Sequence, residues 1–186
     1  MARQGKTDAP TGRQRISQRR LEAAVDGIRG AVSFTAPLKD YTSFRIGGPA
    51  DVLVEPADVD DVVRLVRQTT AQKLPLFVVG GTNLLIRDKG IRGVVVHLGK
   101  LRAIREEAGA VLYAEGGVGM PTLIGYAIRH SLAGLEWAAG IPGTVAGCVV
   151  MNAGTRLGEM KDSVKAVRLV NRKGEILDIP ASEIPF

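Results

Sequence analysis

The chain has 186 residues, 45% hydrophobic and 4% aromatic, with 25 Lys and Arg against 19 Asp and Glu. That length can bury one sizeable core or two small ones, and no stretch approaches the roughly 18 to 20 uninterrupted apolar residues of a membrane span. The net charge of +6 does not mark a nucleic-acid binder: residues 1 to 20 carry six basic residues and one acid, leaving 19 basic against 18 acidic residues for the body.

The basic arm lacks aromatic residues to stack on bases, and its Gly, Pro and Gln content is that of a solvated tail. It also lacks the apolar segment of a secretory signal. Cys148 is the sole cysteine, which excludes an internal disulfide and fits a reducing cytoplasm.

In chain order, residues 1–37 read as the basic, largely disordered arm and its lead-in. Residues 50–55 (ADVLVE) read as a strand. Asp58 is placed to cap a helix in which Val59, Val62, Val63 and Val66 share one face, reaching about Gln72. Strands at 76–79 (LFVV) and 94–98 (VVVHL) follow, and strand, helix, strand in this order predicts a βαβ unit. Residues 101–119 read as two strands with a turn near Gly109. A helix comes next, with Pro121 in its first turn, Leu123, Ile124, Ala127 and Ile128 on one face, and Gly134 as its C-terminal cap. Residues 163–179 alternate on both sides of NRKG, the pattern of a β-hairpin.

Three glycine clusters fall at strand ends or before helices: FRIGGPA (44–50), VVGGTNLL (78–85) and GIPGTVAG (140–147). Successive backbone N–H groups in such loops make concave anion sites. The 78–85 loop reads as a phosphate cradle, with a tight turn capped by Thr82 and Asn83 as the other reading. Residues 140–147, followed by MNAG, read as backbone kept bare so that a cofactor can approach. GGVGMPT (116–122) has Thr122 where a dinucleotide fingerprint needs glycine, and no lysine follows a glycine loop in the P-loop manner. His97 and His130 have no metal-ligand spacing, and no metal site is expected. Asp88, Glu159 and Asp162 read as turn and surface residues.

TSFRIGGPADVLVEP (42–56), VVGGTNLLIRDKGIRGVVVHL (78–98) and GLEWAAGIPGTVAGCVVMNAG followed by GEMKD (134–162) together resemble the UDP-N-acetylenolpyruvoylglucosamine reductase family, also called UDP-N-acetylmuramate dehydrogenase. The resemblance covers about residues 38 to 186. It implies an α/β and α+β chain with a vanillyl-alcohol-oxidase-type (PCMH-type) FAD-binding fold: an α/β subdomain at 38–100 and an incomplete α+β subdomain at 101–186. A substrate-binding domain would follow.

It further implies noncovalent FAD, NADPH as hydride donor, and UDP-N-acetylglucosamine enolpyruvate as the substrate of the full-length enzyme, in cytoplasmic peptidoglycan synthesis without nucleic acid or membrane. By motif, Gly80, Gly81, Thr82 and Asn83 would hold the FAD pyrophosphate. Gly140, Ile141, Pro142, Gly143, Thr144 and Gly147 would approach the flavin, and Asn152, Ala153 and Gly154 would line the same cleft.

The chain departs from the family pattern where Val79 precedes only two glycines; either the loop is one residue shorter or valine replaces a glycine. The family's Tyr-Arg arginine, proton-donating serine and active-site glutamate would all fall after Phe186, so no catalytic residue is assigned. The chain reads as a C-terminally truncated FAD-binding portion, inactive alone. A catalytically silent FAD-binding fragment and another oxidase of the same fold are the rival readings, and the sequence leaves the oligomeric state open.

Overall fold

The computed structural model describes residues 16–80 and 82–186. Its first half is organised by two apolar runs, 52–54 and 94–96, whose side chains are buried on both faces of a sheet. Uninterrupted burial of this kind is the mark of central strands covered on two sides. They belong to β2 (Pro49–Glu55) and β4 (Ile91–His97). With β1 (Ala31–Pro37) and β3 (Leu76–Val79) they form a four-stranded sheet of order β1-β2-β4-β3. β2, β4 and β3 run parallel, while β1 is antiparallel to β2.

The expected βαβ unit therefore exists with a stranger in its middle: β4 lies between β2 and β3, which do not touch. Residues 18–37 also depart from the expected lead-in, since they form α1 (Gln18–Ala24) and β1. The reason is burial. Leu21 and Ala24 of α1 pack with Val52, Val54, Leu65, Val94 and Val96 on one sheet face, and apolar contact on that scale outweighs the polar composition of the segment around it. The part of the arm before Ile16 lies outside the described residues.

α2 (Val59–Ala71) covers this face too. Asp58 caps it, accepting from the Asp61 amide at 3.0 Å. Asp61 is 1% exposed and accepts from the amides of Arg29 (3.1 Å), Gly30 (2.8 Å) and Ala57 (2.9 Å), so it ties the entry of β1 to the exit of β2. Burial would raise its pKa, but those amides and the Arg29 guanidinium outweigh it and hold the carboxyl below its ordinary value. The opposite sheet face is closed by Leu38, Ile86, Leu84 and Tyr41 over Leu53, Val79 and Val95. Val79 is a buried core residue at the end of β3.

The second half has no continuous sheet. It contains three two-stranded ladders: β5 (Ile104–Glu107) with β6 (Val111–Ala114), β7 (Gly154–Thr155) with β8 (Gly158–Glu159), and β9 (Ala166–Val170) with β10 (Ile176–Pro180). Its core gathers Val118, Met120, Leu123, Trp137, Ala138, Cys148 and Met160. Three helices contribute: α3 (Met120–Arg129), α4 (Val145–Val150) and α5 (Met160–Ser163). Trp137 donates through Nε1 to Ser163 Oγ (2.8 Å), and its carbonyl accepts from Thr155 Oγ1 (2.9 Å).

α3 ends at Arg129, short of Gly134. Ser131 adopts φ 55°, Leu132 N–H donates to the Ala127 carbonyl (2.9 Å) and Ser131 N–H to that of Ile128 (3.1 Å), which is a Schellman closure built on serine. Ile128, expected on the buried face, is 71% exposed because the helix buries the stripe of Met120, Leu123 and Ala127 instead.

Candidate functional site

The three glycine clusters meet different fates. In FRIGGPA, a Cβ on Gly48 would lie 1.8 Å from the Asp88 carbonyl oxygen, and one on Gly90 1.8 Å from that of Pro49. Two backbones cross there with no room for a side chain, so Gly48 and Gly90 serve packing, and the Gly48 amide is taken by the Arg87 carbonyl (3.0 Å). Gly117 is similar, with Leu98 O 1.9 Å from its would-be Cβ.

The other two clusters face each other. Gly80, at the C-terminal end of β3, has Thr144 Oγ1 (3.5 Å) and Gly147 Cα (3.7 Å) as the nearest atoms to a would-be Cβ, and Gly143 has Thr82 Oγ1 at 2.8 Å. Asn83 Nδ2 lies 3.9 Å from Met151 Sδ at the end of α4. Residues more than 60 positions apart thus touch at the C-terminal edge of the parallel strands, where open α/β sheets take ligands, and form the two sides of one candidate cleft. Gly81 lies outside the described residues.

The walls differ chemically. The amides of Thr82 and Asn83 donate to no group among the described residues, so this loop offers backbone donors to an anion. Across the cleft, the first three amides of α4 are already satisfied: Val145 donates to Val118 O (2.8 Å), Ala146 to Gly116 O (3.1 Å) and Gly147 to Thr144 Oγ1 (3.3 Å). That wall supplies space instead of charge. A Cβ on Gly140 would meet nothing within 4 Å, and one on Gly147 only Thr144 Oγ1 at 3.3 Å. Gly140 and Gly143 are also fixed by their own φ of 86° and 106°, and Gly143 by Thr82 as well. Ile141 is half-buried against the second core, and Pro142 O is 3.9 Å from Cys148 Sγ. Burial pushes the Cys148 thiol up.

Asn152, Ala153 and Gly154 continue this wall, for reasons within the chain. Asn152, at φ 42°, donates through Nδ2 to Glu159 (2.9 Å) and accepts at Oδ1 from the Lys161 amide (3.0 Å). Ala153 packs on the second core, and a Cβ on Gly154 would lie 2.7 Å from that of Glu159. Asn152 therefore shapes the turn that carries β7 and β8, with its polar atoms facing α5. Glu159 and Asp162 form the capping box of α5, consistent with structural roles.

A cluster that the sequence did not single out sits at the same sheet edge. His97 Nδ1 is 3.1 Å from Glu55 Oε1, and Tyr41 packs edge-on against the His97 ring at 5.0 Å. Burial first, then the carboxylates of Glu55 and Asp40, push the Tyr41 phenol above its ordinary value. Only the parallel register of β2 with β4 could have announced the Glu55–His97 pair.

Residues 50–180 match the family described as FAD binding domain, and the chain belongs to that family. The fold is accordingly the PCMH-type FAD-binding fold, with an α/β and an α+β part, and the cofactor it takes is FAD. Over 158 residues the chain is 44% identical to a UDP-N-acetylenolpyruvoylglucosamine reductase of Caldanaerobacter subterraneus subsp. tengcongensis, covering 84% of this chain and 52% of that protein. A second protein of that name, from Alkaliphilus metalliredigens, is 45% identical over 80% of this chain and 49% of its own length. The crystal structure of the Thermus caldophilus UDP-N-acetylenolpyruvylglucosamine reductase superposes with a TM-score of 0.70 at 34% identity, over 86% of this chain and 55% of that one. A 6-hydroxy-D-nicotine oxidase from Arthrobacter nicotinovorans shares the fold at 21% identity and a TM-score of 0.66. The chain spans about half the length of the curated relatives it matches.

The cleft fits FAD. Among the described residues, one wall presents the amides of Thr82 and Asn83 with no acceptor, and the sequence has no acidic side chain between Gly80 and Asn83, suited to a pyrophosphate; the other is bare at Gly140 and Gly147 and flanked by exposed Val150 (83%) and Met151 (58%), suited to a flat apolar ring.

Proposed function

We propose that this chain is the FAD-holding portion of a reductase that takes hydride from NADPH and converts UDP-N-acetylglucosamine enolpyruvate to UDP-N-acetylmuramate in the cytoplasm. What supports the reading is the convergence of 80–83 and 140–147 on one cleft, together with relatives of that name matched over this portion. The division of labour follows the fold. Residues 16–100 form the subdomain that carries the anion-binding loop, and 101–186 the subdomain that carries the bare wall.

In this reading the amides of Gly81, Thr82 and Asn83 hold the pyrophosphate by charge-assisted hydrogen bonds of about 1.5–3 kcal/mol each, without lysine or arginine. Gly140 and Gly147 let the flavin come against backbone, while Val150 and Met151 exclude water from it. Ile141, Pro142, Gly143 and Thr144 set the path of that wall; Asn152, Ala153 and Gly154 brace it from behind. When bound, FAD supplies the two-electron chemistry that passes hydride from the nicotinamide to the enolpyruvyl double bond. The chain's own groups bind, orient and shield.

Titration of the purified chain with FAD tests the cofactor site. Saturable quenching of flavin fluorescence is expected, and a folded chain that leaves high FAD unquenched would refute it. Formation of the lactyl ether, followed by mass rather than by NADPH loss, tests the reaction: the isolated chain is expected to make none, and the chain joined to the remainder of a relative to make it.

A further inference from the structure

The two walls of the cleft belong to separate cores, so its width depends on what holds the halves together. At the cleft itself the halves already touch, Gly80 against Thr144 and Gly147, Thr82 against Gly143, and Leu98 against Gly116 and Gly117. Another join is remote from the cleft. The tip of the β9–β10 hairpin lies on the outer side of α2, where Arg67 Nη2 donates to the Gly174 carbonyl (3.0 Å) and Thr70 Oγ1 to that of Arg172 (3.1 Å). Gly174 has φ 74°, and a Cβ on it would be 2.4 Å from Arg67 Cγ, so the turn sits directly on the arginine stem.

From this contact a continuous packed path leads to each wall. On one side α2 buries Leu65 against β2 and β4, and β4 pairs with β3, which delivers Gly80. On the other, β9 continues from Ser163, which receives the Trp137 hydrogen bond, and Trp137 shares its core with Cys148 of α4. We infer that Arg67, assisted by Thr70, is a positioning residue for the cofactor: it clamps the hairpin tip to α2 and so holds the 140–147 wall at binding distance from the 80–83 loop. Arg67 pairs with a carbonyl, not with a carboxylate, among the described residues, and Arg suits this because its fork is preorganised and always charged. The inference rests on the reading of the cleft as an FAD site.

The test compares the chain with its Arg67→Met, Arg67→Lys and Thr70→Val variants. Arg67→Met keeps the packing stem and removes the donor. It should bind FAD about tenfold more weakly as the two walls lose their fixed spacing, and, because the bond lies within the chain, it should also lower the unfolding midpoint in the absence of FAD. Arg67→Lys should recover part of that affinity, and Thr70→Val should lose less. A second measurement reads the clamp whether or not FAD binds: spin labels at Asp60→Cys on α2 and Ile128→Cys on α3, both exposed, should give one narrow distance distribution that broadens in Arg67→Met. Unchanged distances, or FAD affinity in Arg67→Met equal to that of the parent, would overturn the inference. A parent chain that binds no FAD while its label distances still respond to Arg67 would count against the cofactor reading and leave the clamp standing.

Discussion

Gly48 and Gly147 are equally bare of side chain, and the chain uses them in opposite ways. Around Gly48, as around Gly30, Gly90 and Gly117, a Cβ would strike backbone at 1.8–2.1 Å; the protein's own atoms fill the space that the missing side chain leaves. Around Gly80, Gly140 and Gly147 the nearest groups are at 3.3 Å or beyond, or absent. The packed glycines explain themselves from within the fold, whereas Gly80 and Gly147 have only side-chain or glycine neighbours at contact distance, which in the proposed reading leaves their backbone to the cofactor. The lesson is that glycine density in sequence marks close approach without saying whether the approaching body is the chain itself or a ligand.

The largest effect is expected on the packed side. Gly48→Ala forces a methyl into the Asp88 carbonyl, and should leave the chain insoluble or destabilised by more than about 4 kcal/mol; thermal unfolding checks it. A well-folded Gly48→Ala chain would erase the distinction between the two classes.

Asp61→Asn probes the same region by charge. It weakens three amide contacts to one carboxylate, and a loss of about 3 kcal/mol at neutral pH is expected. Since the folded pKa lies below the ordinary value, the stabilisation is present above the unfolded pKa of about 3.9 and is lost as pH falls through the folded one. Denaturant midpoints measured from pH 7 to pH 2 should therefore fall more steeply for the parent than for the variant.

On the open side, Gly147→Ala should separate folding from binding. Alanine is the better helix former by about 1 kcal/mol, so the stability of the FAD-free chain should hold or rise. Flavin affinity should fall about tenfold as the methyl enters the cleft. Equal loss of both would place Gly147 among the packed glycines. Gly143 cannot serve for this test, because its φ of 106° and the Thr82 contact would strain any substitution.

The smallest effect concerns Cys148. Burial raises its pKa, so iodoacetamide near pH 8 should leave it unmodified in the folded chain and label it after denaturation, with FAD making no difference. Labelling that FAD suppresses would move Cys148 from the core to the cleft.

The sequence by itself determined the elements whose cause is local. The Asp58 cap and the valine periodicity of α2, the apolar runs of β2, β3 and β4, and the NRKG turn of the last hairpin all follow from near neighbours in the chain. The motifs also carried the family likeness over the later part of the chain. Tertiary structure alone decided the rest. Strand order placed β4 between β2 and β3, burial of Leu21 and Ala24 drew residues 18–37 into the first core, and Ser131 in place of Gly134 closed α3. It likewise assigned Gly48 to packing and turned the Asn152 side chain towards α5. Each of these depends on which distant backbone lies within a few ångströms, a quantity that residue type and spacing along one chain do not contain.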